Sequence, residues 1–176
     1  IPSRSLREFT SVFSDDIETV EVFFANNQIL FRSEHISFYT RLLEGNYPDT
    51  DRLIPTEFNT EATFNVANLR FAMERARLLS NATQNGTVKL EFKNGVVSSH
   101  VHSPEVGRVN EEIDTSAVSG EDLSISFNPT YLIEALKAID SEQVVIRFIS
   151  SVRPFTLVPE GNEQGFIQLI TPVRTN

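Results

Sequence analysis

FNPTYLIEALKAIDSEQVVIRF, residues 127–148, decides the fold, because a helix start, a helix face, a break and a strand follow one another within it. Asn128 suits a helix N-cap, since its short side chain can accept from free backbone N–H groups one turn on. Pro129 follows at the first helical position, where a missing N–H costs nothing. Leu132, Ala135, Leu136 and Ile139 recur at i, i+3, i+4 and i+7 and predict one apolar stripe on a three-turn helix. Asp140, Ser141 and Glu142 interrupt the period, and the β-branched run 144–148 reads as a strand.

The same unit occurs three times. Leu6, Leu69 and Leu132 are spaced by 63 residues, as are Phe9, Ala72 and Ala135, and Phe13, Ala76 and Ile139. Each helix leads to a strand of the form Val-x-apolar-x-Phe, at 20–24, 88–92 and 144–148. Turns at 25–27, 93–95 and 150–151 then lead to further β-like runs at 28–32, 96–102 and 155–158. Two copies close on an alternating strand, at 36–41 and 166–171. A period of about 60 residues is too long for a common solenoid and predicts repeated half-domains of an α+β fold.

In chain order, Ser5 and Glu8 have the spacing of a capping box, and Leu6, Phe9 and Phe13 supply a buried stripe. The first three strands read as an antiparallel meander. Residues 44–52 are polar, turn-rich and without period, which predicts a boundary there and domains at 1–50 and 51–176. The second helix, 66–79, carries a core stripe and a second one, Phe71 and Leu78 with Arg75 between them. Such a stripe implies either a second packing partner or cover from a loop of the same chain. Asn94-Gly95 predicts a tight hairpin. Residues 109–114 read as a strand, 115–122 as loop and 123–127 as the strand feeding the third helix. Pro172 ends the last ladder, so the tail is expected to leave the sheet and lie over it.

Composition narrows the function. With 176 residues and 40% hydrophobic content the chain can bury a core, and no run of 18 apolar residues exists to cross a membrane as a helix. No cationic, apolar leader is visible at a start without Met, and further chain upstream is expected. Cysteine is absent, which removes disulfides, thiolate metal sites and a Cys nucleophile and fits a reducing cytoplasm. A net charge of -9 argues against a broadly basic surface. Arg4 and Arg7 on the first helix, Arg70 and Arg77 on the second and Lys137 on the third nevertheless form a local basic strip if the helices lie side by side, while acid is expected in strands and loops. Such a strip follows phosphates without reading bases. The asparagines of the sequons at Asn81 and Asn85 read as accidental. His100 and His102 share one strand face, yet no third metal ligand stands at a convincing spacing, so no metal, no cofactor and no catalytic residue are expected.

With these features in view, the sequence resembles one family, the bacterial DNA polymerase III beta subunits or replicative sliding clamps. The resemblance rests on 47–49 (YPD) with 52–55 (RLIP), on 79–81 (LSN), on Phe127-Asn128 with Tyr131, and on 171–174 (TPVR), in that order along essentially the whole chain. It implies a DNA-clamp fold with sheets outside and helices lining a channel, the second half of a middle domain at 1–50 and a complete third domain at 51–176. It further implies a non-catalytic processivity factor that encircles duplex DNA as a head-to-tail homodimer ring in the cytoplasm. The DNA channel would present Arg4, Arg7, Arg70, Arg77 and Lys137. A hydrophobic cleft for short motifs of polymerase, clamp loader and repair proteins would comprise Pro48, Arg52, Leu53, Asn128, Tyr131, Val152, Pro154, Leu169, Thr171, Pro172, Val173 and Arg174. The interface between subunits would use Leu78, Leu79, Glu105, Glu111 and Glu112, to which the second stripe adds Phe71. Two other readings remain at this point: a non-enzymatic α+β interaction module that dimerises through the second helix or sheet edges, and a metal hydrolase centred on His100 and His102.

Overall fold

A computed structural model describes residues 1–14, 16–46, 49–50, 52–80, 86–103, 107–162 and 165–174. The chain divides into two compact units, Ile1–Asp49 and Thr50–Asn176.

In the first unit, helix α1 (Ser3–Val12) packs on an antiparallel meander of β1 (Glu21–Phe24), β2 (Gln28–Arg32) and β3 (Ser37–Arg41). Phe13, Ile29 and Phe31 form its small core, and Phe9 stacks 4.5 Å from Phe13 and 4.6 Å from Phe31. Two expectations fail here. Leu6 is not part of a buried stripe: it is 42% exposed, because one helix on three strands covers only one side of α1. The capping box does not form either. The helix starts three residues earlier than that box requires, with Pro2 at the N-cap and its carbonyl accepting from the N–H of Leu6. Ser5 Oγ instead shares a hydrogen bond with Thr40 Oγ1 (2.8 Å), and Glu8 accepts from Arg4 Nε (3.0 Å).

The second unit holds β4 (Thr60–Asn65), α2 (Val66–Ser80), β5 (Val88–Lys93), β6 (Val96–Ser103), β7 (Gly107–Ile113), β8 (Ala117–Gly120), β9 (Leu123–Phe127), α3 (Pro129–Lys137), β10 (Gln143–Phe148), β11 (Phe155–Pro159) and β12 (Gln168–Ile170). These strands make a five-stranded sheet in the order β12-β11-β10-β4-β8 and a four-stranded sheet in the order β7-β6-β5-β9. The two copies of the repeat therefore exchange their leading strands. β4 precedes α2 yet pairs with β10 after α3, and β9 precedes α3 yet pairs with β5 after α2. The 63-residue register runs through this exchange, from Thr60 to Leu123 and from Val66 to Pro129. It ends beyond the helices, because α2 has 15 residues and α3 only 9.

One core fills the unit. Leu69, Met73, Leu132 and Ile133 are fully buried on the two helices. A chain of rings joins the sheets, with centroids 4.9 Å apart for Phe92 and Phe148, 5.1 Å for Phe148 and Phe155, and 5.2 Å for Phe127 and Phe155. Each such burial contributes about 1.5–3 kcal/mol. Local chemistry agrees with this packing. Asn128 Oδ1 accepts from Thr130 N at 2.9 Å ahead of Pro129. Asn94 and Gly95, both at positive φ, close the β5–β6 hairpin, as twisted strands favour.

The stretch 115–122, expected to be loop, contains strand β8, which pairs with β4. Its short run of small residues has no apolar alternation to announce it; the neighbouring edge of β4 recruits it. Gly120 ends it at φ +97°, where a Cβ would lie 2.0 Å from the Asn59 carbonyl oxygen, so only glycine fits. The tail does leave the five-stranded sheet after Ile170. It crosses to the four-stranded one, where Val173 N–H donates to the Ser126 carbonyl on β9 at 2.7 Å.

Candidate functional site

Where α3 meets the last strand, Tyr131, Glu134 and Ala135 face Gln168, Leu169, Ile170 and Thr171 across a groove of about 430 Å³. Pro129 places Tyr131 in the first turn, on the opposite side from the buried Leu132 and Ile133, and it stays 58% exposed. On β12 the two-residue alternation turns Ile170 into the core and leaves Leu169 half-buried on the other side. Three predicted cleft residues, Tyr131, Leu169 and Thr171, thus line one groove. Arg52, Leu53, Asn128, Val152, Pro154, Pro172, Val173 and Arg174 do not line it. Of these, Leu53 and Val152 are more than half exposed, and Asn128 is engaged as the α3 cap. Pro48 lies outside the described residues. Glu134 and Gln168 were not anticipated; the i, i+3 relation of Glu134 to Tyr131 on one helix was the available signal.

A second groove, of about 200 Å³, lies between the start of α2 and the end of α3. It is lined by Arg70 and Lys137 together with Asn65, Leu136, Ser141 and Glu142. Two of the predicted cations are thereby brought together. Their charge is tempered on the helices themselves: Lys137 Nζ lies 2.9 Å from Glu134, Arg70 Nε lies 3.9 Å from Glu74, and Arg4 pairs with Glu8 in the first unit. Acid is therefore not confined to strands and loops. Arg7 is exposed on α1, and Arg77 is half-buried in the last turn of α2, where a cation suits the negative end of the helix.

The outer side of α2 presents Phe71, 49% exposed, and Leu78, 72% exposed, so no described loop covers the second stripe. Leu79 packs against the core. Phe71 and Arg75 share a groove of about 250 Å³ with Glu111, Glu112 and Asp114. Arg75 donates to both carboxylate oxygens of Glu111. That hydrogen bond, helped by the Glu111 charge and opposed by burial, raises the arginine further above its ordinary range. Glu112 is exposed and Glu105 lies outside the described residues, as do Asn81 and Asn85.

The imidazole of His100 shares hydrogen bonds with Ser98 Oγ (2.9 Å) and Asn110 Oδ1 (2.8 Å) on an open sheet face. Among the described residues no group of three His, Cys, Asp or Glu side chains could hold a metal ion, so none of them supplies His100 and His102 with a third ligand.

Residues 51–174 match the family model for the C-terminal domain of the DNA polymerase III beta subunit, and residues 1–49 match that for its central domain. The chain belongs to the DNA polymerase III beta subunit family. Across its full length it is 80% identical to the beta sliding clamp of Streptococcus pneumoniae and, over 99% of it, 41% identical to that of Staphylococcus aureus; it covers 47% and 46% of those proteins. It superposes on the crystal structure of the Streptococcus pneumoniae DNA polymerase III beta chain with a TM-score of 0.94, at 80% identity, covering 99% of this chain and 46% of that one. The Bacillus subtilis DNA polymerase sliding clamp gives a TM-score of 0.89 at 38% identity, covering 100% and 46%. The chain thus spans about half the length of the family relatives it matches, and its α+β fold is that of the sliding clamps.

Proposed function

We propose that this chain is the distal part of a ring-forming processivity clamp, with residues 1–50 as the second half of a middle domain and 51–176 as a complete third domain. The ring surrounds duplex DNA in the cytoplasm, and the protein performs no catalysis itself. The observation that carries this reading is the groove between α2 and α3. Two helices from exchanged halves set Arg70 and Lys137 side by side in a groove lined by the start of α2, the end of α3 and the turn after it, with Asn65 at the end of β4, in a chain of the clamp family. Arg4, Arg7 and Arg77 extend the cationic surface in the proposed assembly. Because each cation has a carboxylate neighbour or stands alone, phosphate contacts are few and weak, which suits sliding. Enclosure, rather than affinity, then keeps the protein on DNA.

The groove of Tyr131, Leu169 and Thr171 is the centre of the proposed peptide cleft, to which Arg52, Leu53, Asn128, Val152, Pro154, Pro172, Val173, Arg174 and Pro48 are the further proposed contributors. An apolar floor with a few polar groups suits short linear motifs of polymerase, clamp loader and repair proteins, at about micromolar affinity, or roughly -8 kcal/mol. The exposed Phe71 and Leu78, with Leu79, Glu111, Glu112 and Glu105, form the proposed contact between protomers. This absorbs the observation behind the simple dimerising module.

The deciding experiment joins the N-terminal half of the Streptococcus pneumoniae beta sliding clamp to this chain and loads the chimera on a nicked circular plasmid. Retention on the circle and loss on linearisation is the expected result. Equal retention on circular and linear DNA overturns the reading, as does absence from both when the pneumococcal protein itself is retained.

A further inference from the structure

A fourth groove, of about 400 Å³, belongs to none of these sites. It opens between the α3–β10 turn and the β11–β12 turn. Ile139, Pro159 and Phe166 give it an apolar floor, and Asp140 and Glu160 stand exposed on its rim. Among the described residues no lysine or arginine lines it, in contrast to the neighbouring groove across Ile139 and Ser141, which holds Arg70 and Lys137. Among the described residues neither Asp140 nor Glu160 has an ion-pair partner. Ala138, the C-cap of α3, also lines the groove, so the negative end of that helix adds to the same field.

The charge excludes a polyanion as occupant. A purely apolar segment would fill the floor and leave two rim carboxylates without counter-charge, whereas a purely basic one would leave the floor wet. An extended peptide satisfies both, since its alternate side chains point to opposite sides. We propose that this groove docks a short segment of a partner protein in which lysine or arginine alternates with apolar residues. The site is separate from the Tyr131 groove and gives the molecule a second contact for partners that carry a basic, apolar tail.

The probe is a fluorescein-labelled hexapeptide of alternating leucine and lysine, titrated by anisotropy into the 176-residue chain at an ionic strength of about 0.15 M. Saturable binding is expected, with amide shift changes at Ala138–Ser141 and at Gly161 and Asn162. The double variant Asp140→Asn with Glu160→Gln weakens it about fivefold, the loss of two exposed ion pairs. Asn162→Arg, which puts a cation on the rim, weakens it independently, and Tyr131→Ala leaves it unchanged. Equal binding of a peptide with glycine in place of leucine would reduce the effect to net charge and overturn the proposal. So would an unchanged affinity in the double variant, an equal loss in Tyr131→Ala, or no binding at all.

Discussion

Phe24, Phe92 and Phe148 end the same strand pattern in three copies of one unit, yet Phe24 is 75% exposed while Phe92 and Phe148 are 2% and 1% exposed. The helices repeat the contrast: Leu6 is 42% exposed, and Leu69 and Leu132 are completely buried. The difference lies in the strand exchange. In the second unit β5 receives β9 and β10 receives β4, each copy completing the sheet of the other, and α2 and α3 pack together over the shared core. In the first unit, among the described residues, β1 pairs only with β2, and all four of its residues stay exposed. An apolar repeat position marks where a core can form; its occupancy depends on a second copy.

Truncation at matched positions gives the largest expected effect. Phe148→Ala should cost about 3–5 kcal/mol in urea unfolding of the second unit, by loss of buried area and by the cavity left among Phe92 and Phe155. Phe24→Ala should change stability by no more than about 0.5 kcal/mol. Equal costs would break the comparison. Next comes Gly120→Ala, which forces a Cβ onto the Asn59 carbonyl at positive φ. Its expected cost is about 1–3 kcal/mol, with faster amide exchange along β8, the strand that closes the exchanged sheet. Exchange unchanged at Val118 would separate β8 from that closure.

A smaller loss, about 1 kcal/mol, is expected for Asn128→Ala, read from the unfolding midpoint. The equivalent start of α1 has no side-chain cap, so Ser5→Ala should lose only its link to Thr40 and leave α1 helicity unchanged. The smallest effect belongs to Glu111→Gln. Arg75 and its partner are substantially solvated, so the pair contributes less than about 1 kcal/mol and less still at high salt. Because the folded arginine is raised above its unfolded value, its contribution is fully present below the ordinary arginine range and lost only above it. Stability through this arginine should therefore be flat across neutral pH, and a slope there that Glu111→Gln abolishes would contradict that assignment.

Much of the site was legible because it sits on short-range signals. Asn128-Pro129 placed the start of α3 and with it Tyr131, and Pro172 announced that the last strand stops beside it. Glu134 shares a helix face with Tyr131 and so carried a local signal, whereas Gln168 carried none, because the far wall of a groove is set by which elements meet. The acid-rimmed groove was invisible for the same reason, since Asp140 and Glu160 come from turns about 20 residues apart that only the β10–β11 pairing brings together.

By itself the sequence determined the repeated unit, the Asn128 cap of α3, the Asn94-Gly95 hairpin and the alternation of strands such as β5 and β12, because these rest on bonds and side-chain periods within a few residues. Tertiary structure alone decided that the copies trade leading strands, that β8 joins β4, that Leu6 and Phe24 stay exposed, and that the tail crosses to Ser126. Those outcomes depend on backbone edges finding partners far along the chain, and an edge seeks hydrogen bonds with little regard to which side chains carry them.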